Sequence, residues 1–270
     1  MAYRTILVDL TASRPVGPRA AAARDLASRF GAALIGLHAV PEPFVPAGLY
    51  GESSGSIAAE LIAAQIAAAR EATERAHIVF RDVCGDGPDN VWRAAEGDPG
   101  RLLAEAARTT DLVVTEKGEA AELDPFGAIE HLALAAGVPV LVLPPGGAPV
   151  PGRTVLVGWN GSREATRALH GALPLLANAE RVILCAVGAA RHTLEDARLM
   201  LCRHQLSVEP RHLDRPDGTA GEALLAQAEA DGADLLVIGA YGHTRLRELV
   251  FGGATRHVLH TANLPVLLGG

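Results

Sequence analysis

An internal repeat is the feature of this sequence that most constrains its fold. The opening segment "YRTILVDLTASRP" returns as "RTVLVGWNGSREATRAL" in the second half, so that Leu7 corresponds to Leu156. The segment "TTDLVV" at 109–114 is answered by "GADLLV" at 232–237, and "GVPVLVLP" is answered by "NLPVLLGG" near the end. The spacing between matching segments varies, which indicates insertions and deletions within a duplicated unit. A repeat of this length predicts two copies of one folding unit.

The segment "PPGGAPVPG" at 144–152 separates the two copies. Prolines and glycines at this density cannot continue a helix or a central strand. We therefore predict a first domain over residues 1–145 and a second over residues 152–270. Two domains of this size fall within the usual range for globular proteins.

Each copy alternates short apolar runs with alanine-rich stretches of helical spacing. In the second half we predict strands at 153–159, 181–187, 207–213, 234–239 and 265–268, with helices at 163–177, 192–205 and 220–231. In the first half we predict strands near 4–10, 33–40, 78–83, 111–115 and 139–143, with a long helix at 57–76. Nearly continuous apolar strands that alternate with helices indicate a parallel sheet covered on both faces. The predicted fold class is α/β, with two doubly wound parallel-sheet domains in tandem.

Two helix starts carry capping residues. Ser162 precedes the first helix of the second half, and Thr219 with Glu222 forms the pattern of a capping box before the third.

Composition excludes several classes of protein. The chain has a formal net charge of −7, which argues against a nucleic-acid binder that works through a broad basic face. The amino terminus lacks the pattern of a secretory leader, and the longest apolar run contains Gly137 and Pro139 and is too short to span a bilayer. Three cysteines without metal or redox spacing suit a reducing compartment. We predict a soluble, cytoplasmic protein with no nucleic-acid or membrane partner.

The stretch "GAYGHTRLRELVFGGATRHV" at 239–258 is the strongest candidate for a binding site. Gly239 and Gly242 follow an apolar run, and Gly252 and Gly253 open a helical stretch. Ligands of open parallel sheets bind beyond the carboxyl ends of the strands. The free N–H groups of a helix N-terminus attract anions, and Arg245 or Arg247 in the intervening loop could add positive charge. The pattern predicts a phosphate-binding loop, with ordinary tight turns as the alternative.

The other motifs in the sequence give weaker evidence for a function. The sequence contains neither a P-loop nor a dinucleotide-binding glycine pattern. The segment "GESSG" at 51–55 matches a nucleophile elbow but follows a proline-rich loop rather than a strand. His257 and His260 lack a third metal ligand. We predict no catalytic residues and no protein-bound metal site.

The segment "GAYGHTRLRELVFGGATRHVLHTANLPVLL" resembles the closing segment of the universal stress protein family, whose nucleotide-binding members show G-x2-G-x9-G-[ST]. Gly239, Gly242 and Gly252 fall on the three glycines of that motif. The segment "VLVGWNGSREATRAL" resembles the family's opening strand and helix, and the two halves together cover nearly the whole chain. The chain is identified as a tandem member, with two domains of the family's adenine-nucleotide α-hydrolase-like fold.

The resemblance implies a cleft for ATP or AMP in the second half, with Mg²⁺ accompanying ATP. The three glycines would surround the ribose and phosphates. Asn160 stands where binders commonly have an aspartate near the adenine, and Val187 stands where a backbone contact to adenine is usual. Gly253 occupies the position of the motif's hydroxyl residue, with Thr255 close by.

The first half departs further from the motif. Glu116 stands where Gly239 does, and Phe126 stands opposite Gly252. The intervening segment is shorter and also carries Glu119, Glu122 and Asp124, whose carboxylates would repel a triphosphate. We predict that the first domain does not bind nucleotide at this site.

These considerations predict a stress-response regulator that binds an adenine nucleotide through its second domain and is not an efficient enzyme. One alternative is a nucleotide-independent module for protein interaction or dimerisation. Another is a slow ATPase, in which Arg245 acts on a phosphate together with a divalent ion. The resemblance also implies that the last strands of the two domains pair inside the chain, as an internal pseudo-dimer, and it leaves a homodimer open.

Overall fold

The computed structural model describes residues 2–11, 15–46, 55–117, 128–150, 152–188, 191–214, 218–240 and 253–270. The first half of the chain contains β1 (Thr5–Asp9), α1 (Gly17–Phe30), β2 (Ala33–Val40), α2 (Gly55–Cys84), β3 (Asn90–Glu96), α3 (Pro99–Ala107), β4 (Leu112–Glu116), α4 (Ala128–Ala135) and β5 (Val140–Leu143). The second half contains β6 (Thr154–Trp159), α5 (Arg163–Leu176), β7 (Arg181–Val187), α6 (Arg191–Arg203), β8 (Val208–Leu213), α7 (Ala220–Ala230), β9 (Leu235–Gly239), α8 (Gly253–Thr261) and β10 (Val266–Gly269).

All these strands join in one sheet with the order β3-β2-β1-β4-β5-β10-β9-β6-β7-β8. Within each half the neighbouring strands are parallel, and the second half repeats the strand order of the first. Helices cover both faces: α1, α2, α5 and α6 bury apolar residues on one face, and α3, α4, α7 and α8 on the other. The predicted α/β class with tandem doubly wound domains is confirmed.

The two halves meet through their last strands. β5 and β10 pair antiparallel, with Val142 opposite Val266 and Val140 opposite Leu268. The hydroxyl of Tyr3 also donates a hydrogen bond of 2.6 Å to the carbonyl oxygen of Gly171 across the halves. This pairing inside the chain is the internal pseudo-dimer that the family resemblance implied.

The duplication extends to a pair of equivalent aspartates at the amino ends of the strands. Asp111, just before β4, accepts hydrogen bonds of 2.7 and 2.9 Å from the backbone N–H groups of Arg4 and Thr5. Asp234, just before β9, accepts bonds of 3.1 and 3.3 Å from the N–H groups of Arg153 and Thr154. In both halves an aspartate therefore fixes the register between the first strand and the fourth.

One predicted strand is wrong. Residues 78–83 belong to the carboxyl-terminal part of α2, and the strand expected there is β3, at Asn90–Glu96. Ala76 and Phe80 are buried, Val83 packs beside them, and this spacing suits one face of a helix. β3 lies at the edge of the sheet and alternates in exposure, so its sequence lacks the apolar run that marks the central strands.

The predicted helix caps are confirmed. The Ser162 hydroxyl accepts a hydrogen bond of 3.1 Å from the Ala165 N–H. Thr219 and Glu222 form a reciprocal capping box at the start of α7.

The division of the chain into domains at 1–145 and 152–270 stays a prediction.

Among the described residues, no helix is long and apolar enough to cross a membrane.

Candidate functional site

The strand order of the second half creates a crevice at one edge of the sheet. β6 lies between β9 and β7, so the chain leaves β6 toward one side and returns on the other. Asn160 directly follows β6, and Gly239 ends the neighbouring parallel strand β9. Such a reversal of strand order is where open α/β sheets bind ligands, at the carboxyl ends of the strands. The topology therefore brings Asn160 and Gly239 to the expected edge.

Gly239 has a packing role that the sequence did not reveal. A Cβ atom at this position would lie 2.5 Å from the backbone nitrogen of Ala165 and 2.6 Å from the carbonyl carbon of Glu164. Both atoms belong to the backbone of the first turn of α5. Backbone atoms at that distance could make room for a Cβ only if the helix shifted, which would cost free energy. The glycine is thus required by the close approach of α5 to the end of β9, whether or not a ligand also approaches.

Thr255 fixes the start of α8 against the same strand end. This residue is buried, and its Oγ1 donates a hydrogen bond of 3.2 Å to the carbonyl oxygen of Gly239. Thr255 was expected to substitute for the missing hydroxyl of the motif. In this arrangement its hydroxyl hydrogen is already used, so its contribution is to hold the helix in place.

The amino terminus of α8 begins at a glycine and carries no acidic side chain in its first turn. This glycine, Gly253, is exposed. The first N–H groups of a helix have no partner within the helix, and the helix dipole makes this end attractive to anions. The residues at the start of α8 therefore fit a phosphate better than a cation.

Asn160 is exposed, and its Oδ1 accepts a hydrogen bond of 3.0 Å from the Ser162 N–H. One lone pair of the amide oxygen remains for a ligand donor. The preceding residue, Trp159, is anchored by a hydrogen bond of 3.1 Å from its Nε1 to the Thr193 Oγ1. Sequence reasoning overlooked Trp159, although its position next to Asn160 was the available signal.

Val187 ends β7 beside β6, at the same edge of the sheet. The carbonyl oxygen of the next residue, Gly188, lies 2.7 Å from the Nε2 of His212, which therefore carries the hydrogen in this contact. The backbone just beyond Val187 is held by β8 rather than left mobile.

Three of the predicted site residues, Gly242, Gly252 and Arg245, lie outside the described residues, as do Glu119, Glu122, Asp124 and Phe126 of the first half. Their expected roles stay predictions.

Within the described part of the chain, no group of three or more His, Cys, Asp and Glu side chains could hold a metal ion. His257 Nδ1 lies 3.8 Å from Glu222 Oε1. This is a contact between one histidine and one carboxylate, and two such groups do not make a set of metal ligands.

The first half differs at the equivalent edge. Glu116 ends β4 as Gly239 ends β9, and its carboxyl group is buried. Its Oε1 accepts a hydrogen bond of 2.9 Å from the Gly146 N–H, in the segment that connects the two halves. The Glu116 side chain thus holds the connecting segment at the end of β4.

Comparisons with known proteins show which family the chain resembles. Residues 186–268 match the model of the universal stress protein family. A universal stress protein of Synechocystis is 46% identical over 50 residues, which are 18% of this chain and 17% of that protein. Another, from Methanocaldococcus jannaschii, is 35% identical over 51 residues, which are 19% of this chain and 32% of that protein. The chain therefore spans less than a third of the length of these curated relatives.

A solved structure extends the likeness to the whole chain. The universal stress protein from Archaeoglobus fulgidus has 16% sequence identity and a TM-score of 0.73, and the match covers 98% of this chain and 95% of that one. At this identity the likeness concerns the fold, which both halves of the chain share with it.

Proposed function

The chain belongs to the universal stress protein family, with two domains in one polypeptide, and on that premise we propose that its second half binds an adenine nucleotide. The observation that carries the proposal is the hydrogen bond from Thr255 to Gly239. It fixes the start of α8 beside the end of β9, at the reversal of strand order where ligands of such sheets bind.

The phosphates would lie at the start of α8, where N–H groups and the helix dipole favour negative charge. Arg245, in the loop between β9 and α8, would add positive charge. The nucleoside would extend toward the end of β6, where Asn160 retains one acceptor site for an amino group. ATP or AMP satisfies this arrangement, and Mg²⁺ would enter with ATP rather than through a dedicated protein site.

We further propose that the bound nucleotide regulates a stress response rather than being turned over. Among the described residues, the site contains a helix terminus, an amide and a glycine at each end of the loop, which bind and orient phosphate but do not activate water. Slow hydrolysis by this protein would be incidental to that role.

The direct test is to denature the purified protein and to search for released ATP or AMP by mass spectrometry. Thermal unfolding with and without ATP–Mg²⁺ follows, because a ligand at a hundred times its dissociation constant stabilises a protein by about 2.7 kcal/mol. Absence of released nucleotide together with an unchanged unfolding temperature at millimolar ATP would refute the proposal.

One observation favours a second candidate, a nucleotide-independent interaction module. Gly239 is explained by its packing against α5, so this glycine alone does not require a ligand. Under that hypothesis the loop between β9 and α8 contacts a protein partner. Unchanged partner binding in the presence of saturating ATP, together with no released nucleotide, would support it.

A further inference from the structure

A second concave site lies in the first half, away from the start of α8. It is a cleft of about 1180 Å³ between α2, the carboxyl ends of β2 and β3, and residues 41–44. One wall is the small-residue face of α2, with Ala69 and Ala72, and the opposite wall contains Trp92 and Ala94 of β3. Alanines on facing walls leave the space open, and the surroundings are mainly apolar.

The rim of this cleft is held in place. The side-chain amide of Gln65 on α2 both accepts a hydrogen bond of 2.9 Å from the Phe44 N–H and donates one of 2.8 Å to the Phe44 carbonyl. This pair of bonds ties the segment after β2 to the helix across the cleft. The Phe44 side chain itself is 70% exposed, so an apolar ring stands at the entrance.

The inner wall of the cleft is aromatic. The Trp92 ring stacks with the His77 ring at a centroid distance of 4.9 Å and lies 6.0 Å from the His38 ring at a similar angle. Phe80 supports the indole at 5.9 Å. These neighbouring rings fix the indole in position, so a ligand in the cleft meets a rigid aromatic wall.

His38 brings a ring nitrogen to the lining of the cleft. His38 lines the cleft and is only 2% exposed, and its Nδ1 lies 2.8 Å from the carbonyl oxygen of Leu10. A carbonyl can only accept, so Nδ1 carries the hydrogen, and in the tautomer with one ring hydrogen Nε2 is an acceptor. No described residue donates to Nε2. A ligand in the cleft that carries an N–H group would satisfy it.

The charged side chains at the rim of the cleft also favour a ligand with a positively charged N–H group. Three carboxylates, Glu42, Glu74 and Glu96, line the cleft, against one guanidinium, Arg70. None of the four forms an ion pair with a residue in the described part of the chain. The excess of negative charge favours a cation and disfavours a phosphate or carboxylate.

We propose that this cleft binds a small organic cation with an apolar, aromatic body and a protonated amino group. The body packs against α2 beside Trp92, an N–H group donates to His38 Nε2, and the positive charge lies among the three carboxylates. The inference is independent of nucleotide binding in the second half, because it concerns other strands and the opposite charge.

The test uses the two tryptophans of the chain, one in each half. Trp159→Phe leaves Trp92 as the only indole, and its fluorescence reports on the cleft in the full-length protein. Phenethylamine is the probe, with phenethyl alcohol and phenylpropionate as neutral and anionic partners of similar shape. We expect saturable changes with phenethylamine, and an affinity about tenfold higher than for phenylpropionate, which corresponds to roughly 1.4 kcal/mol.

Two variants separate charge from shape. Glu74→Gln combined with Glu96→Gln should weaken phenethylamine several-fold while leaving phenethyl alcohol unchanged. Ala72→Leu should extend a larger side chain into the cleft and weaken both compounds. The matched control is Trp92→Phe, in which Trp159 reports on the second half and should not respond to phenethylamine. Calorimetric titration of the unsubstituted protein checks each result without relying on fluorescence.

The proposal is overturned if calorimetry and Trp92 fluorescence both show no saturable binding of phenethylamine. It is also overturned if phenylpropionate binds as tightly as the amine, or if ATP displaces the amine from the Trp159→Phe protein.

Discussion

The Nζ of Lys117, at the end of β4, donates a hydrogen bond of 2.5 Å to the carbonyl oxygen of Ala262, just after α8. Lys117 is the single lysine of the sequence and is buried. Its side chain therefore contributes to the contact between the halves rather than to the charged surface of the protein. A cationic group is favourable at a helix C-terminus. The first half thus holds one end of α8, and the other end is the proposed phosphate site of the second half.

Burial lowers the pKa of Lys117 from its usual 10.5 to about 8. Between these two values the unfolded chain still binds the proton that the folded protein has released, so the free energy of unfolding rises with pH over this window. We expect that rise in the wild-type protein and not in Lys117→Met. The measurement is urea unfolding of both proteins at pH 8 and pH 10, compared as a difference.

Because the chain has one lysine, its titration can also be observed directly. In protein labelled with ¹³C-lysine, a single Cε resonance should shift with a midpoint near 8. Lys117→Arg, which keeps its charge over the whole window, is the control and should lack the pH-dependent rise in stability. A midpoint at the ordinary value of lysine would show that the side chain is solvated.

Gly239→Ala should destabilise the protein by about 1–3 kcal/mol, because the added methyl group overpacks against the backbone of α5. Gly253→Ala is the matched control, since a Cβ there meets nothing within 4 Å at the start of a helix. The control should be neutral or stabilising by up to about 1 kcal/mol. Equal effects of the two substitutions in thermal and urea unfolding would contradict the packing role of Gly239.

Gly253→Ser restores the hydroxyl that the family motif has at this position. If the second half binds nucleotide as proposed, the added donor should tighten ATP roughly tenfold, since hydrogen bonds to charged groups contribute about 1.5–3 kcal/mol. Gly253→Ala has the same backbone effect without the hydroxyl. Calorimetric titration of both variants with ATP–Mg²⁺ separates the two contributions, and identical affinities would argue against a phosphate at the start of α8.

Asp111→Ala should lower the free energy of unfolding by about 1–3 kcal/mol, because two backbone N–H groups lose a charged acceptor. Asp234→Ala removes the equivalent bonds, which are longer, and should cost less. Asp86→Ala, at an exposed position, provides the control and should change stability by less than about 0.5 kcal/mol. Chemical denaturation of the three variants ranks them, and the reverse order for Asp111 and Asp234 would show that bond length does not decide the effect.

The three thiols should differ in reactivity. Burial raises the pKa of the Cys84 and Cys185 thiols to about 11, so little thiolate forms at neutral pH. Cys202 is exposed. We expect one fast-reacting thiol in native protein treated with Ellman's reagent, and its loss in Cys202→Ser. A fast phase that persists in this variant would place Cys84 or Cys185 within reach of solvent.

The strands of the second half could be predicted from the sequence nearly to their ends. Their apolar runs are continuous because both faces of a central parallel strand are buried, and this pattern is local in the sequence. The same reasoning failed at 78–83, where a run beginning with Ile78 and Val79 lies on a helix, and it missed β3, whose exposed edge position removes the apolar signal.

At the candidate site the sequence determined residue types and spacing, and the tertiary structure decided what the described residues contact. Gly239 could be singled out from its position after an apolar run. Only the approach of α5 showed what the absent side chain makes room for. The expected hydroxyl of Thr255 is present, but the adjacent carbonyl of Gly239 already uses it.

The sequence by itself determined the repeated α/β architecture, because the alternation of apolar and amphipathic segments depends on neighbours along the chain. The joining of ten strands in one sheet, the contact of Lys117 with α8 and the cleft beside Trp92 were decided by the tertiary structure. Each of these depends on residues that are far apart in sequence, and no local pattern encodes which of them meet.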